Sequence, residues 1–201
     1  AIMLNRLRRS VTFLQGLMFS PWITPMIAMS IVWSWMFDPQ IGPINQFLEL
    51  IGLSGPNWLT DSDTAIWAVI IVTVWKNIGW AMLFFADALL KIPDDLYEAA
   101  DIDGASIWAK IRYILVPLVS PTSLFLFIIL TLHSLQAFDQ INVLTQGGPA
   151  GSTRTLLYLY YEIAFEKFKM GTATAVAVLI LIISAILSFL SMKISKKYVY
   201  Y

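Results

Sequence analysis

The sequence contains no cysteine and a single histidine, His133. Without thiols the chain cannot form disulfides, zinc–thiolate sites or iron–sulfur clusters, and one imidazole cannot build a multi-histidine metal site. We therefore expect this chain to bind no metal ion. Charge is also scarce, since 13% of the 201 residues are charged and 13 basic residues balance 13 acidic ones. A neutral chain offers no overall basic field for nucleic acid, so a nucleic-acid partner is not expected.

Apolar residues are abundant instead, at 58% of the chain, and the mean hydropathy is +0.72. Soluble domains are nearer 45–50% apolar and about 25% charged. Backbone groups in hydrocarbon must be satisfied within their own segment, so long uncharged runs predict helices. We predict an all-α integral membrane protein, a polytopic helical bundle with four visible spans. These spans are Thr12–Phe37, Thr64–Leu90, Tyr113–Phe138 and Met170–Met192.

The basic residues predict which way the spans face, because cytoplasmic loops carry the excess of lysine and arginine. Loops 38–63 and 139–169 are then extracytoplasmic, and both ends of the chain are cytoplasmic. The apolar stretch Ile44–Ile51 is predicted to lie along the membrane interface, and the aromatic stretch Leu156–Phe168 is predicted to be an amphipathic helix at this interface. The basic residues on the cytoplasmic side are Arg6, Arg8, Arg9, Lys91, Lys110, Arg112, Lys193, Lys196 and Lys197.

The loop between the second and third spans, residues 91–112, is more than a minimal connector. Pro93 suits the start of a helix, Gly104 interrupts the run, and Ser106 suits the cap of a second short helix. The small residues Ala99 and Ala100 allow close approach of a partner surface. This pattern predicts a helix–turn–helix bracket between two spans. The alternative is an amphipathic loop that rests on the lipid headgroups.

A spaced motif in this loop favours the first interpretation. Glu98-Ala99-Ala100 is followed after three residues by Gly104, and after nine more by Ile114, Val116 and Pro117. This resembles the EAA loop, E-A-A-x3-G-x9-I-x-L-P, of permease subunits of bacterial ATP-binding-cassette importers, with Val116 where leucine is usual. The surrounding residues resemble the carbohydrate-uptake branch, the relatives of maltose and glycerol-phosphate permeases. Further stretches that match this branch are Asn5-Arg6 with Arg8-Arg9, Phe37-Asp38-Pro39, and Phe138-Asp139 through Gly147-Gly148-Pro149.

The resemblance implies an architecture and a set of partners. The family core has six spans, so residues 1–201 are expected to be a single permease domain that lacks its N-terminal spans, with Ala1–Asn5 the end of the second. A second permease subunit, two ATPase subunits and an extracytoplasmic substrate-binding protein are implied in a bacterial cytoplasmic (inner) membrane. The chain itself would be no enzyme and bind no cofactor, since ATP and Mg would be held by the ATPase partner. The residues implied to dock on that ATPase are Glu98, Ala99, Ala100, Asp103 and Gly104.

Polar residues inside the predicted spans are candidates for the solute pathway. Lys76 lies near the middle of its span, where a charge should face a bundle interior or an aqueous path. With Trp75 and Asn77 it either hydrogen-bonds and stacks against a sugar, pairs with a carboxylate of the partner subunit, or snorkels outward. His133 and Gln136 lie one helical turn apart and either line the pathway or form a hydrogen bond between helices.

The third predicted span contains Pro117 and Pro121, and each proline removes a helical hydrogen bond. A kink at this point is either a hinge or a static bend. The rival functions are an ion-coupled secondary transporter, an intramembrane enzyme and a membrane scaffold. Only Lys76 and Asp87 are charged within spans, and neither G-x-S-x-G nor H-E-x-x-H occurs in the sequence. These observations favour an importer subunit for a sugar or sugar-like solute.

Overall fold

The computed structural model describes the backbone of residues 11–198 and the side chains of residues 13–193. The predictions for Ala1–Asn5 and for the basic residues 6–9 lie outside this part of the chain. Within it, the regular elements are helices. They are α1 (Val11–Ile23), α2 (Met26–Met36), α3 (Pro43–Leu50), α4 (Ser62–Leu90), α5 (Asp94–Ile102), α6 (Ile107–Leu118), α7 (Ser120–Leu135), α8 (Asp139–Leu144), α9 (Leu156–Tyr161) and α10 (Met170–Tyr198).

Two helices, α4 and α10, are long and apolar enough to cross a membrane without interruption. They match the predicted spans Thr64–Leu90 and Met170–Met192 closely. Large apolar side chains on α10 remain exposed, including Leu181 and Phe189, both at 67%. Such exposure is costly in water but ordinary against lipid, so it agrees with a membrane location.

The other two predicted spans are bent. The run Thr12–Phe37 is divided between α1 and α2, which meet at 96° around Thr24 and Pro25. The run Tyr113–Phe138 lies on α6 and α7, which meet at 60° around Val119. Proline explains both breaks, because its ring blocks the carbonyl one turn earlier and it has no N–H to donate. The described residues therefore give two uninterrupted spans, or four if each bent pair crosses as one.

The described residues form two compact units. The first consists mainly of residues 78–131, with the start of α1 and the end of α10. Its apolar cluster contains Leu89, Ile92 and Leu115, with Tyr97 and Val119 packed against it. This cluster joins the end of α4 to the middle of α6, so it fixes both ends of the segment between them.

The second unit consists of residues 21–77 and 132–183. Phe37 lies at its centre, 1% exposed, with its ring 5.3 Å from both Trp33 and Trp58. Fully burying one such side chain contributes roughly 1.5–3 kcal/mol. The remaining buried members of this core are Ala68, Val69, Val72, Ile141, Leu144 and Tyr158.

Candidate functional site

The segment from α5 through the start of α6, residues 94–110, forms a helical elbow. Pro93 precedes α5 with extended backbone angles (φ −60°, ψ 137°), as a residue at a helix start should. Asp94 and Asp95 occupy the first turn, where the positive end of the helix dipole favours carboxylates. The first arm of the elbow thus begins where local chemistry predicts.

The turn of the elbow is a Schellman motif centred on Gly104. The N–H of Ala105 donates to the carbonyl of Ala100 at 2.9 Å, and the N–H of Gly104 donates to the carbonyl of Asp101 at 3.1 Å. Gly104 has φ +71°, a left-handed conformation that glycine adopts without the steric cost of a Cβ. The end of α5 is therefore closed by backbone hydrogen bonds and not merely frayed.

Two side-chain contacts order the second arm. The Ser106 hydroxyl accepts a hydrogen bond from the N–H of Ala109 at 3.2 Å and caps α6. The Lys110 ammonium forms an ion pair with the Asp101 carboxylate across the turn. Of the two contacts, this ion pair is the one that joins the second arm to the first.

The residues predicted to dock on a partner are brought together on the elbow. Glu98, Ala99, Asp103 and Gly104 are exposed, whereas Ala100 is buried at 9%. The small side chain of Ala100 thus belongs to the packing of the elbow itself. Docking by all five residues stays a prediction.

The structure adds a feature that the motif does not contain, an apolar tip beside the turn. Ile102 is 86% exposed, Trp108 79% and Ile107 64%. We call these three residues the elbow tip. The sequence signal for this tip is a set of large apolar residues that flank a glycine turn inside a charged loop, and the E-A-A spacing does not include them.

The α6 helix leaves the elbow through a π-helical turn at Ile111–Leu115. The bend near Val119 follows immediately, with Pro117 before it and Pro121 after it. Turns of π-helix are rare and occur often at functional sites. The hinge role of the two prolines stays a prediction.

The predicted pathway residues of α4 have defined surroundings in the second unit. Trp75 contacts Trp33 edge to face, with ring centroids 5.4 Å apart. The Asn77 side chain donates to the carbonyl of Thr73, one turn earlier in the same helix, at 2.8 Å. Lys76 reaches the break between α1 and α2 and donates to backbone carbonyls there.

His133 lies in the last turn of α7 and Gln136 directly follows the helix, and both side chains are exposed. Contact of these two residues with a solute stays a prediction, as does contact of Trp75, Lys76 and Asn77. Among the residues described, no group of three or more histidine, aspartate or glutamate side chains is arranged to hold a metal ion.

A buried amide organises the loop after α2. Asn45 is 3% exposed, and its side-chain oxygen accepts the indole N–H of Trp58 at 2.7 Å. Its amide nitrogen donates to the carbonyls of Pro56 at 3.1 Å and Pro39 at 3.4 Å. One side chain of α3 therefore joins the irregular segments that precede and follow this helix.

A charged cluster follows α9. The Glu162 carboxylate accepts a hydrogen bond from Lys167 at 2.6 Å and lies 3.2 Å from Arg154. The hydrogen bond from Lys167, assisted by the charge of Arg154, holds the pKa of Glu162 below its ordinary value against the effect of burial. Glu162 is thus an anion in the folded loop at neutral pH.

Comparison with known families and proteins gives a consistent result. The family described as "Binding-protein-dependent transport system inner membrane component" matches residues 1–199. A probable ABC transporter permease protein of Pyrococcus horikoshii is 34% identical over 194 residues, 94% of this chain and 66% of the relative. The trehalose/maltose transport system permease protein MalF of Thermococcus litoralis is also 34% identical, over 94% of this chain and 65% of its own length.

The sn-glycerol-3-phosphate transport system permease protein UgpA of Brucella suis is 33% identical over 98% of this chain and 67% of its own length. The chain thus spans about two thirds of the length of the curated relatives it matches. A crystal structure of a bacterial ABC transporter that imports the acidic polysaccharide alginate aligns with TM-score 0.86 and 22% identity, over 97% of this chain and 69% of that one. The MetNI methionine ABC transporter aligns with TM-score 0.60 and 19% identity, over 99% and 79%. At these identities the two alignments support the fold.

Proposed function

Since the chain belongs to the inner membrane components of binding-protein-dependent transport systems, we propose that it is the permease subunit of an ATP-driven importer for a sugar or sugar-like solute. Relatives named for trehalose/maltose and glycerol-3-phosphate transport support this class of solute. The subunit acts with a second permease subunit, two ATPase subunits and an extracytoplasmic binding protein. It lies in the cytoplasmic (inner) membrane with both ends of this chain on the cytoplasmic side.

The elbow is the contact with the ATPase, through the exposed residues Glu98, Ala99, Asp103 and Gly104 and the elbow tip, and Ala100 packs within the elbow behind them. The observation that carries this proposal is the exposed apolar tip on a segment whose two ends are fixed by one apolar cluster. Exposed apolar side chains rimmed by polar ones are typical of protein interfaces. Because both ends of the elbow are fixed, a displacement of the tip by a partner is transmitted to α4 and α6.

ATP and Mg belong to the ATPase subunits, and this chain contributes mechanical coupling. Closure of the ATPase pair on ATP moves the elbow. The contacts that the transporter makes in its inward-facing state differ from those in its outward-facing state, and this difference drives the conversion between the two states. The bend beside Val119, with Pro117 and Pro121 on either side, is where the motion is taken up. The alternatives, an ion-coupled transporter or a membrane scaffold, require no ATPase at the elbow.

The test is association of the full-length complex with its ATPase, measured for Ile102→Glu and for Leu50→Glu. Both wild-type side chains are almost equally exposed, at 86% and 85%, but Leu50 is the last residue of α3 in the other unit. Burying one large apolar side chain is worth roughly 1.5–3 kcal/mol, or about 10- to 100-fold in affinity. We expect Ile102→Glu to lose the ATPase on purification and Leu50→Glu to retain it. Retention by both variants, with normal ATP-dependent uptake, contradicts the proposal.

A further inference from the structure

The break between α1 and α2 deprives one backbone carbonyl of its helical donor. Pro25 has no N–H, so the carbonyl of Pro21 loses the donor that an unbroken helix would supply four residues later. The two helices then continue at 96° to each other. Chain in hydrocarbon tolerates such a break only where another group satisfies the freed carbonyl.

Lys76 donates to this carbonyl and to two others at the break. Its ammonium lies 2.6 Å from the carbonyl oxygen of Thr24, 2.9 Å from that of Pro21 and 3.3 Å from that of Trp22. A lysine ammonium has three N–H donors and no acceptor, so three donors meet three acceptors. All four residues belong to the second unit.

The electrostatics agree with this pairing. The C-terminal end of a helix carries about half a negative charge, which favours a cation. A charged side chain within a span is costly unless it pairs with backbone carbonyls or other partners. The lysine therefore neutralises the broken end of α1, and the broken end of α1 stabilises the lysine within a span.

We propose that the break is a cation site built of backbone carbonyls, with the Lys76 ammonium as its resident cation. Lys76 is then a positioning residue that fixes the junction of α1 and α2 and makes no contact with the solute. Removal of the side chain beyond Cβ creates a site for a small primary ammonium ion. This inference does not depend on the identity of the solute or on the ATPase contact.

The test compares Lys76→Ala and Lys76→Met in the full-length complex. Methionine has about the length of lysine without its donors, and alanine leaves the space of an n-propylammonium ion. Because hydrogen bonds to a charged group are lost, we expect both variants to melt roughly 5–10 °C lower. n-Propylammonium should restore most of that loss in Lys76→Ala and little in Lys76→Met, whose side chain fills the site. n-Propanol and tetramethylammonium should restore neither variant.

Uptake kinetics distinguish a positioning residue from a solute ligand. The inference predicts a lower maximal rate with an unchanged KM for solute, whereas loss of a solute contact raises KM. It is overturned if Lys76→Met melts with the parent, if n-propanol restores Lys76→Ala as well as n-propylammonium, or if KM alone changes. Should the complex fail to transport sugar, the melting experiments still report on Lys76.

A third variant covers the case in which neither replacement accumulates in the membrane. Lys76→Arg keeps the charge and several N–H donors, so the inference predicts that it accumulates and melts well above the other two. The inference is contradicted if Lys76→Arg accumulates no better than Lys76→Met and Lys76→Ala. In that case the site would need more than a cation with N–H donors.

Discussion

Gly104 offers a sharp test of the elbow, because the chain contains a matched control. Its φ is +71°, and a Cβ added there meets nothing within 4 Å. Gly52 has φ +80° and equally open space, but it lies beyond α3 in the other unit. Alanine at either position therefore introduces backbone strain and no clash, at a cost of about 1–2 kcal/mol.

Under the proposed function, only the strain at Gly104 opposes the conformation in which the elbow would meet the ATPase. A penalty of this size lowers the ratio of the competent conformation to the alternatives by a factor of roughly 5–30. We expect Gly104→Ala to reduce solute-stimulated ATP hydrolysis and uptake in proteoliposomes by up to that factor, while Gly52→Ala leaves both near the parent. Melting temperatures of the two variants should fall alike.

Asparagine tolerates the left-handed region better than other non-glycine residues. Gly104→Asn should accordingly recover a large part of the activity that Gly104→Ala loses. The reasoning is refuted if Gly52→Ala and Gly104→Ala lose uptake equally, or if Gly104→Ala transports like the parent despite the same loss of stability.

Three further predictions concern stability, each measured by thermal melting of the purified complex. A Cβ at Gly79 would lie 1.8 Å from a backbone oxygen of α1, so Gly79→Ala should lower the stability by about 3 kcal/mol or more. Gly16→Ala should be tolerated, because a Cβ there meets nothing within 4 Å. Equal effects of the two substitutions would contradict a close helix crossing at Gly79. Asn45→Ala leaves a buried indole N–H and a loop carbonyl unpaired and should cost roughly 2–4 kcal/mol; a change below 0.5 kcal/mol, about what a neutral surface substitution gives, would count against its role. Because the folded structure lowers the pKa of Glu162, its ionised carboxylate stabilises the fold at pH values above the ordinary pKa of 4.5. This contribution is lost as the pH falls through the lower pKa of the folded state. Glu162→Gln should therefore remove this part of the loss of stability in acid, and an unchanged dependence of melting temperature on pH would contradict the pairing with Lys167.

The elbow was predictable because its signals are local. Pro93 favours a helix start, Gly104 the left-handed turn and Ser106 a cap, and each acts within a few residues of its own position. The structure has a helix, a turn and a second helix at those places. Local backbone chemistry was therefore sufficient to predict these helix boundaries.

The break in the first predicted span was not predicted, although Pro21 and Pro25 are visible in the sequence. A run without charge is long enough to span whether or not it is straight, so length and composition cannot reveal a bend. What stabilises the break is Lys76, which is more than fifty residues away in sequence. A contact of that kind leaves no periodic or spaced signal.

The stretch Leu156–Phe168 shows how a side-chain pair shifts local geometry. It was predicted as one amphipathic helix, and the structure has α9 followed by a π-helical turn at Glu162–Glu166. The ion pair between Glu162 and Lys167 joins residues five apart, as does the backbone hydrogen bond from Lys167 to Glu162 at 2.9 Å. Residues five apart face each other in a π-helix and not in an α-helix, so the charges favour the wider turn.

The central claim is that the elbow tip meets an ATPase, and site-directed cross-linking tests it most directly. Residues 1–201 contain no cysteine, so Ile102→Cys and Leu50→Cys each introduce one thiol into this part of the protein, at almost equally exposed positions. A heterobifunctional thiol-directed photo-cross-linker in membranes that contain the whole transporter should join Ile102→Cys to the ATPase subunit and leave Leu50→Cys uncoupled from it. Absence of the ATPase from the Ile102→Cys product, with cross-linking only to lipid or to the extracytoplasmic binding protein, would contradict the account.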